Sequence, residues 1–192
     1  MQKGRYLEAL LKSGKSVLTS KDIMLLWRDA NIHAVTVRIN YYIKRGSLIK
    51  LRKGLYATHE EYNKLELATR ILTPSYVSFE TVLAREGVIF QYYESIFVAS
   101  YVKREIGIDN QIYSFKRLPK KILLNPIGVE QADQMSTASR ERAILDTLYV
   151  NSDYYFDNLR SVDWDKINDI LLIYNNKRMS RIIEKLRKNH DN

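Results

Sequence analysis

The stretch HAVTVRINYYIKRGSLIKLRKGLYA, residues 33–57, decides the fold of the N-terminal part of the chain. Its first half is helical in pattern and stops at Gly46, the residue type expected just past a helix end. Two short apolar runs follow, Leu48-Ile49-Lys50 and Leu55-Tyr56-Ala57, on either side of Arg52-Lys53-Gly54. A helix that leads directly into a hairpin tipped with cations is the pattern of a recognition helix and its wing.

At 100° per residue the helix over 33–45 divides into two sides. Val35, Ile39, Tyr42 and Ile43 fall on the side expected to face a core, and His33, Thr36, Val37, Asn40, Tyr41 and Lys44 fall on the other. The outward set combines the groups that read base edges: an amide for adenine, methyl groups for thymine and a cation for guanine or phosphate. Lys21, Arg45, Arg52 and Lys53 are expected to hold phosphates and set the register. His33, on its own, fits a cap or surface position better than a base contact.

Upstream, Leu7, Leu10 and Leu11 repeat at helical spacing between Gly4 and the Ser13-Gly14 break. A second helix is expected to begin at Ser20 as its N-cap, bury Ile23, Leu26 and Trp27, and end at Asp29-Ala30-Asn31. Three short helices and a basic hairpin predict a winged helix-turn-helix domain over residues 1–60.

Charge follows the same boundary. Residues 1–60 carry 12 Lys and Arg against four Asp and Glu, which is +8 of a formal net charge of +9. Cations gathered on one small module suit a duplex backbone, because each one laid on a phosphate releases condensed counterions. A solvated charged face and a winged-helix adaptor that contacts protein instead of DNA are the alternatives.

From residue 61 the balance shifts. Residues 61–176 have 13 basic and 16 acidic side chains, and the tail from Lys177 to Asn192 has six basic against two acidic. The pattern predicts a helix over 62–72 ending ahead of Pro74, and a short helix capped by Ser78 and ended at Gly87. Paired strands are expected at 96–100 and 112–115, with a further strand or edge at 122–124 and 127–129. Ser139 is expected to start a helix burying Ile144, Leu145, Leu148 and Tyr149, and Asp163 to cap another. The tail reads as an amphipathic basic helix with Met179, Ile182, Ile183 and Leu186 on its apolar face. The whole is expected to be an α+β protein, with a mixed α/β C-terminal domain over 61–192.

Cysteine is absent, which excludes disulfides and thiolate zinc sites, and the three histidines are scattered. No phosphate-cradling glycine motif or nucleophile elbow is present, so no enzymatic activity and no cofactor are expected. Asp163, Asp165 and Asp169 form the one close carboxylate cluster; helix capping is the first reading of it and a metal-dependent nuclease the last. No metal site is expected. No apolar run approaches the ~20 residues of a membrane span, and the N-terminus does not read as a signal peptide. A cytoplasmic protein without membrane contact is the expectation.

Four segments in order, KRGSLIKLRKGLYA (44–57), TPSYVSFETVLAREGVI (73–89), IFVAS (96–100) and ASRERAILDTLYV (138–150), make the chain resemble the AbiEi family of antitoxins from abortive-infection, type IV toxin-antitoxin systems. The resemblance implies a bacterial transcriptional autorepressor in phage defence. Its N-terminal domain would bind inverted or direct repeats in its own promoter, as a monomer in solution that is cooperative on DNA. Its C-terminal domain would counter, directly or indirectly, a cognate toxin with a nucleotidyltransferase-like fold. Arg140 stands where many relatives place proline, a change compatible with a first helical turn. Arg140, Arg142, Lys177, Arg178, Arg181 and Lys185 are the basic residues that the resemblance makes candidates for antitoxicity.

Overall fold

A computed structural model of the chain describes residues 5–132 and 134–190. Gly4, expected to precede the first helix, and Asp191 and Asn192, at the end of the expected tail helix, lie outside the described residues. The chain forms two compact units, Met1–Ile71 and Leu72–Asn192, both mixed in helix and strand.

The first unit runs α1 (Arg5–Lys12), β1 (Val17–Thr19), α2 (Ser20–Trp27), α3 (Ile32–Lys44), β2 (Ile49–Arg52), β3 (Leu55–Ala57) and α4 (Lys64–Ile71). Leu10, Ile23, Trp27, Val35, Ile39, Tyr42 and Leu48 gather into one core that joins α1, α2, α3 and the start of the hairpin. Trp27 sits at its centre. The indole Nε1 donates to the Tyr6 carbonyl at 2.9 Å, and the Tyr6 and Tyr42 rings pack at 5.3 and 6.1 Å from the indole ring. A buried Trp satisfied in this way fixes three helices at once. Residues 28–31 make the turn between α2 and α3, with Arg28 in the left-handed region, an arrangement consistent with a helix-turn-helix.

The expected N-cap of α2 moves by one residue. Thr19, not Ser20, is the cap: its hydroxyl accepts from the Asp22 amide at 3.0 Å while the Asp22 carboxylate accepts from the Thr19 amide at 2.9 Å, a reciprocal capping box. Thr19 also ends β1, a strand of three residues too short to leave a periodic trace in the sequence. In the three-stranded sheet β1-β3-β2 the strands are antiparallel, and β3, the middle one, is buried throughout. At the end of α3 Gly46 has φ +70, where a side chain would strain the backbone.

The compact units divide at 71/72, beyond the composition change at 61, because α4 is bonded into the first. The Glu66 carboxylate, buried, accepts from the Ser16 amide and hydroxyl at 3.0 and 2.6 Å and from the Val17 amide at 3.3 Å. Arg70 links the Glu66 carboxylate to that of Asp22, and Lys15 closes the set on Asp22 at 2.5 Å. The unit keeps its +8 with α4 included, since Lys64 and Arg70 offset Glu61 and Glu66.

The second unit contains a six-stranded sheet in the order β6-β7-β5-β4-β9-β8. The strands are β4 (Ser75–Val77), β5 (Ile96–Ser100), β6 (Arg104–Ile108), β7 (Gln111–Arg117), β8 (Val129–Ala132) and β9 (Met135–Ala138). The expected pairing of 96–100 with 112–115 is present as the parallel β5–β7 ladder. The hairpin partner β6 escaped the sequence reading, since Arg104, Glu105 and Gly107 mask its alternation. Two other expectations are corrected. Lys120–Leu123 is a short helix, α6, and not a strand. The helix α5 (Glu80–Arg85) has no side-chain cap, because the Ser78 hydroxyl is directed instead to the Asp146 carboxylate.

Helix α7 (Arg140–Val150) is the hub of this unit, contacting α5, α8 (Trp164–Leu171) and α9 (Lys177–His190). Ser139 and Asp163 cap α7 and α8 as the sequence predicts. Residues 141–148 are buried without interruption, including four polar side chains, so the stripe of Ile144, Leu145 and Leu148 is part of a helix enclosed on every side. Gly128, at φ +72, lies against α7 and α8: an added Cβ would stand 2.8 Å from Ile170 and 3.0 Å from the Arg142 Cβ.

Asp22 generates a test of the first unit. Burial would raise its carboxyl, but Lys15 and the Thr19 hydroxyl and amide bind the charged form and hold it below the ordinary 3.8. A depressed carboxyl stabilises the folded state above its unfolded value and loses that contribution as pH falls through the folded value. Asp22→Asn should therefore cost stability at neutral pH, by roughly 1 kcal/mol as for a lost cap. The gap from wild type should close as pH falls below 3.8. Urea unfolding of both proteins at neutral and acid pH measures it.

Candidate nucleic-acid interface

Helix α3 begins at an Asn31 cap whose side chain accepts from the Ala34 amide at 3.1 Å. Burying Val35, Ile39 and Tyr42 turns the opposite side to solvent: His33, Thr36, Val37, Asn40, Tyr41 and Lys44 are all exposed. The Asn40 side chain makes no intramolecular hydrogen bond among the described residues, so its carboxamide is open in both donor and acceptor sense. The Thr36 hydroxyl donates to the Ile32 carbonyl at 2.8 Å, which leaves its methyl and its lone pairs outward.

Cations frame this face. Lys44 and Arg45 stand at the C-terminal end of α3, and the Arg45 guanidinium lies 5.0 Å from the Tyr41 ring centre, a cation–π arrangement that orients both. Lys53 and Gly54 form the turn of the β2–β3 hairpin, with Arg52 and Lys53 exposed. Lys21 is exposed in the first turn of α2. The nine residues singled out in this unit from the sequence, Lys21, His33, Thr36, Asn40, Tyr41, Lys44, Arg45, Arg52 and Lys53, are thus all at the surface.

Arg38 belongs to neither side and was not legible as functional or structural. It pairs with Asp29 at 3.2 Å and lies 3.9 Å from the Tyr6 ring centre and 5.2 Å from that of Trp27. That cation locks the α2–α3 turn to α1. The only signal was its position on the border between the two faces.

The basic residues of the second unit have different fates. Lys177, Arg178, Arg181 and Lys185 are exposed on α9, whose Met179 and Ile183 are buried. Arg140 is half-buried, donating to the Ser161 carbonyl and pairing with Glu86 at 3.1 Å.

Arg142 is corrected: it is fully buried and presents nothing to a partner. Its guanidinium pairs with Asp146 at 3.3 Å and donates to the Ile127 and Ile122 carbonyls and the Tyr76 hydroxyl at 2.7–2.9 Å. Asp146 accepts in turn from Tyr174, Ser78 and Tyr76 at 2.6, 2.8 and 3.0 Å. Burial pushes the Tyr76 and Tyr174 phenols well above their ordinary range, with the Asp146 charge adding to it. Both therefore remain proton donors to the carboxylate. A basic residue in a helical segment looked like surface; that its i+4 partner is an acid was the signal available.

Asp163 caps α8 by accepting from the Asp165 and Lys166 amides, each at 3.0 Å. Among the described residues no three His, Asp or Glu side chains are gathered as a metal site, and no helix is long and apolar enough to cross a membrane.

Residues 5–59 match the family described as transcriptional regulator, AbiEi antitoxin. The matched segment runs from α1 through the β2–β3 hairpin, and it supports the resemblance to the AbiEi family and a regulatory antitoxin role. No curated protein matches the chain.

Removing one member of a buried ion pair strands the other, at a cost of about 3–5 kcal/mol. Arg142→Gln should lower the stability of the second unit by that amount. Lys185→Gln, on the exposed side of α9, should leave it within about 0.5 kcal/mol. Denaturant unfolding of the two variants distinguishes a framework arginine from a surface one.

Proposed function

We propose that this protein is an antitoxin that represses its own operon, with the first unit a winged helix-turn-helix that binds promoter DNA. One observation carries the reading: the exposed side of α3 and the hairpin turn together offer Thr36, Asn40, Lys44, Arg52 and Lys53 on a unit of charge +8. The family match over 5–59 supports the regulatory role independently of that geometry.

In this reading α3 enters the major groove with its N-terminal turns nearest the bases, as in other helix-turn-helix proteins. Asn40 pairs with an adenine edge, and Thr36 and Val37 contact thymine methyls. The hairpin lies along the backbone, where Arg52 and Lys53 neutralise phosphates, while Lys21 and Arg45 clamp the flanks. His33 and Tyr41 border this contact. The second unit counters a toxin with a nucleotidyltransferase-like fold, and the exposed cations of α9 (Lys177, Arg178, Arg181 and Lys185), together with the half-buried Arg140, are the residues offered for that task. Arg142 acts there only as framework. Repression and antitoxicity would then sit on separate units of one chain.

Base and backbone contacts separate by substitution. Asn40→Ala should cost about 1–3 kcal/mol on duplex carrying the promoter repeats and almost nothing on random duplex. Lys53→Ala should weaken both alike. Titrations of full-length protein against the two duplexes at fixed salt decide it; equal losses on both for Asn40→Ala would remove Asn40 from the reading face.

A further inference from the structure

Two loops of the second unit, around residues 89–93 and 151–157, enclose a cleft of about 490 Å³ that the regulatory reading does not use. Its walls include Phe90, Tyr93, Tyr154 and Tyr155, with two carboxylates, Asp153 and Asp157, and no basic side chain. The loops are bonded to each other. The Phe90 amide donates to Asp157 Oδ2 at 2.8 Å, and the amides of Asp157 and Asn158 both donate to the Val88 carbonyl at 3.0 Å. Tyr93 is braced by donating to Gln91 at 2.6 Å and by packing edge-on to Phe97 at 5.4 Å.

Two rings of the lining, and that of Tyr92 between the lining residues Gln91 and Tyr93, stand almost free. Phe90 is 74% exposed, Tyr155 78% and Tyr92, which lies outside the cleft lining, 84%. Aromatic rings left in water at this density mark a contact surface, and Tyr and Phe are enriched at the energetic centres of protein interfaces. Their electron-rich faces and the two carboxylates select the sign of what enters: a cation is attracted by both, an anion by neither. Arg178 hydrogen-bonds to Ser152 and stands 3.9 Å from Asp153, and Lys116, over the Phe97 ring on which Tyr93 packs, is paired with Glu80, while no ion pair to Asp157 occurs among the described residues. The cleft therefore has an unneutralised carboxylate beside rings held in place.

We infer that this cleft receives an Arg or Lys side chain presented by a protein partner, with the rim rings covering apolar residues that flank the cation. Tyr92 argues for a protein-borne cation over a free polyamine, since a small ligand confined to the cleft would leave that ring, outside the lining, exposed. The inference is independent of DNA binding, and the contact surface it names borders the α9 cations at Arg178.

The test uses full-length protein without DNA and follows the amide resonances of Phe90, Tyr155 and Asp157 by NMR. The probes are the capped peptide Leu-Arg-Leu, its neutral counterpart Leu-Gln-Leu, and spermidine. Saturable shifts with Leu-Arg-Leu, absent with Leu-Gln-Leu and weaker with spermidine, are expected. Tyr155→Ala, at an exposed position, and Asp157→Asn, which keeps an oxygen for the Phe90 amide, should each weaken the arginine peptide roughly fivefold, in line with one lost cation contact. No saturable shift with the arginine peptide, equal binding of the neutral peptide, or wild-type affinity in both variants overturns the site. Tighter binding of spermidine than of the peptide overturns the protein source.

Discussion

Helix α3 can bury only one side, and the rest of the first unit follows from that constraint. Val35, Ile39 and Tyr42 are held against Ile23 and Trp27, and Trp27 is itself fixed by Tyr6 and by the cation of Arg38. With three positions per two turns committed to the core, Thr36, Asn40 and Lys44 have no direction left but outward. The same core includes Leu48, at the head of the hairpin, so the basic turn is placed by the packing that orients the helix. Apart from Arg38, which is paired with Asp29, charge is then added to a shape already set, since Lys44, Arg45, Arg52 and Lys53 make no internal ion pair among the described residues.

The second unit is built around a different kind of anchor. Arg142 and Asp146, one turn apart on α7, are stripped of water and bonded to Tyr76 on β4, Ser78 beyond it, Tyr174 ahead of α9 and the carbonyls of Ile122 and Ile127. A buried pair costs desolvation, and its merit is that it accepts only one arrangement of its partners. Strand, helix and loop from four parts of the unit meet at these two side chains.

Much of this was legible in the sequence where local chemistry decides the outcome. The split of α3 into sides, its stop at Gly46, the caps Ser139 and Asp163, and the pairing of 96–100 with 112–115 are all read from spacing and residue type. What was not legible depends on distant partners. Nothing in the segment around Glu66 announces its bonds to Ser16 and Val17, which join α4 to the first unit. Ser78 was drawn from capping duty by Asp146, and Arg142 from the surface by the same residue. The strand β1 is specified by its ladder with β3 and not by its own three residues. The aromatic rings of 90–93 and 154–155 carried no periodicity at all, and only the fold brings the two loops together.

The central claim is that the exposed face of α3 and the basic hairpin grip a duplex, and the salt dependence of binding tests it most directly. For full-length protein and promoter duplex, log K against log salt concentration should fall with a slope of about −0.9 per phosphate neutralised. Replacing both Arg52 and Lys53 with Gln should make that slope shallower by about two such contacts. Absence of duplex binding at low salt, or a slope indifferent to the loss of both hairpin cations, would contradict the account.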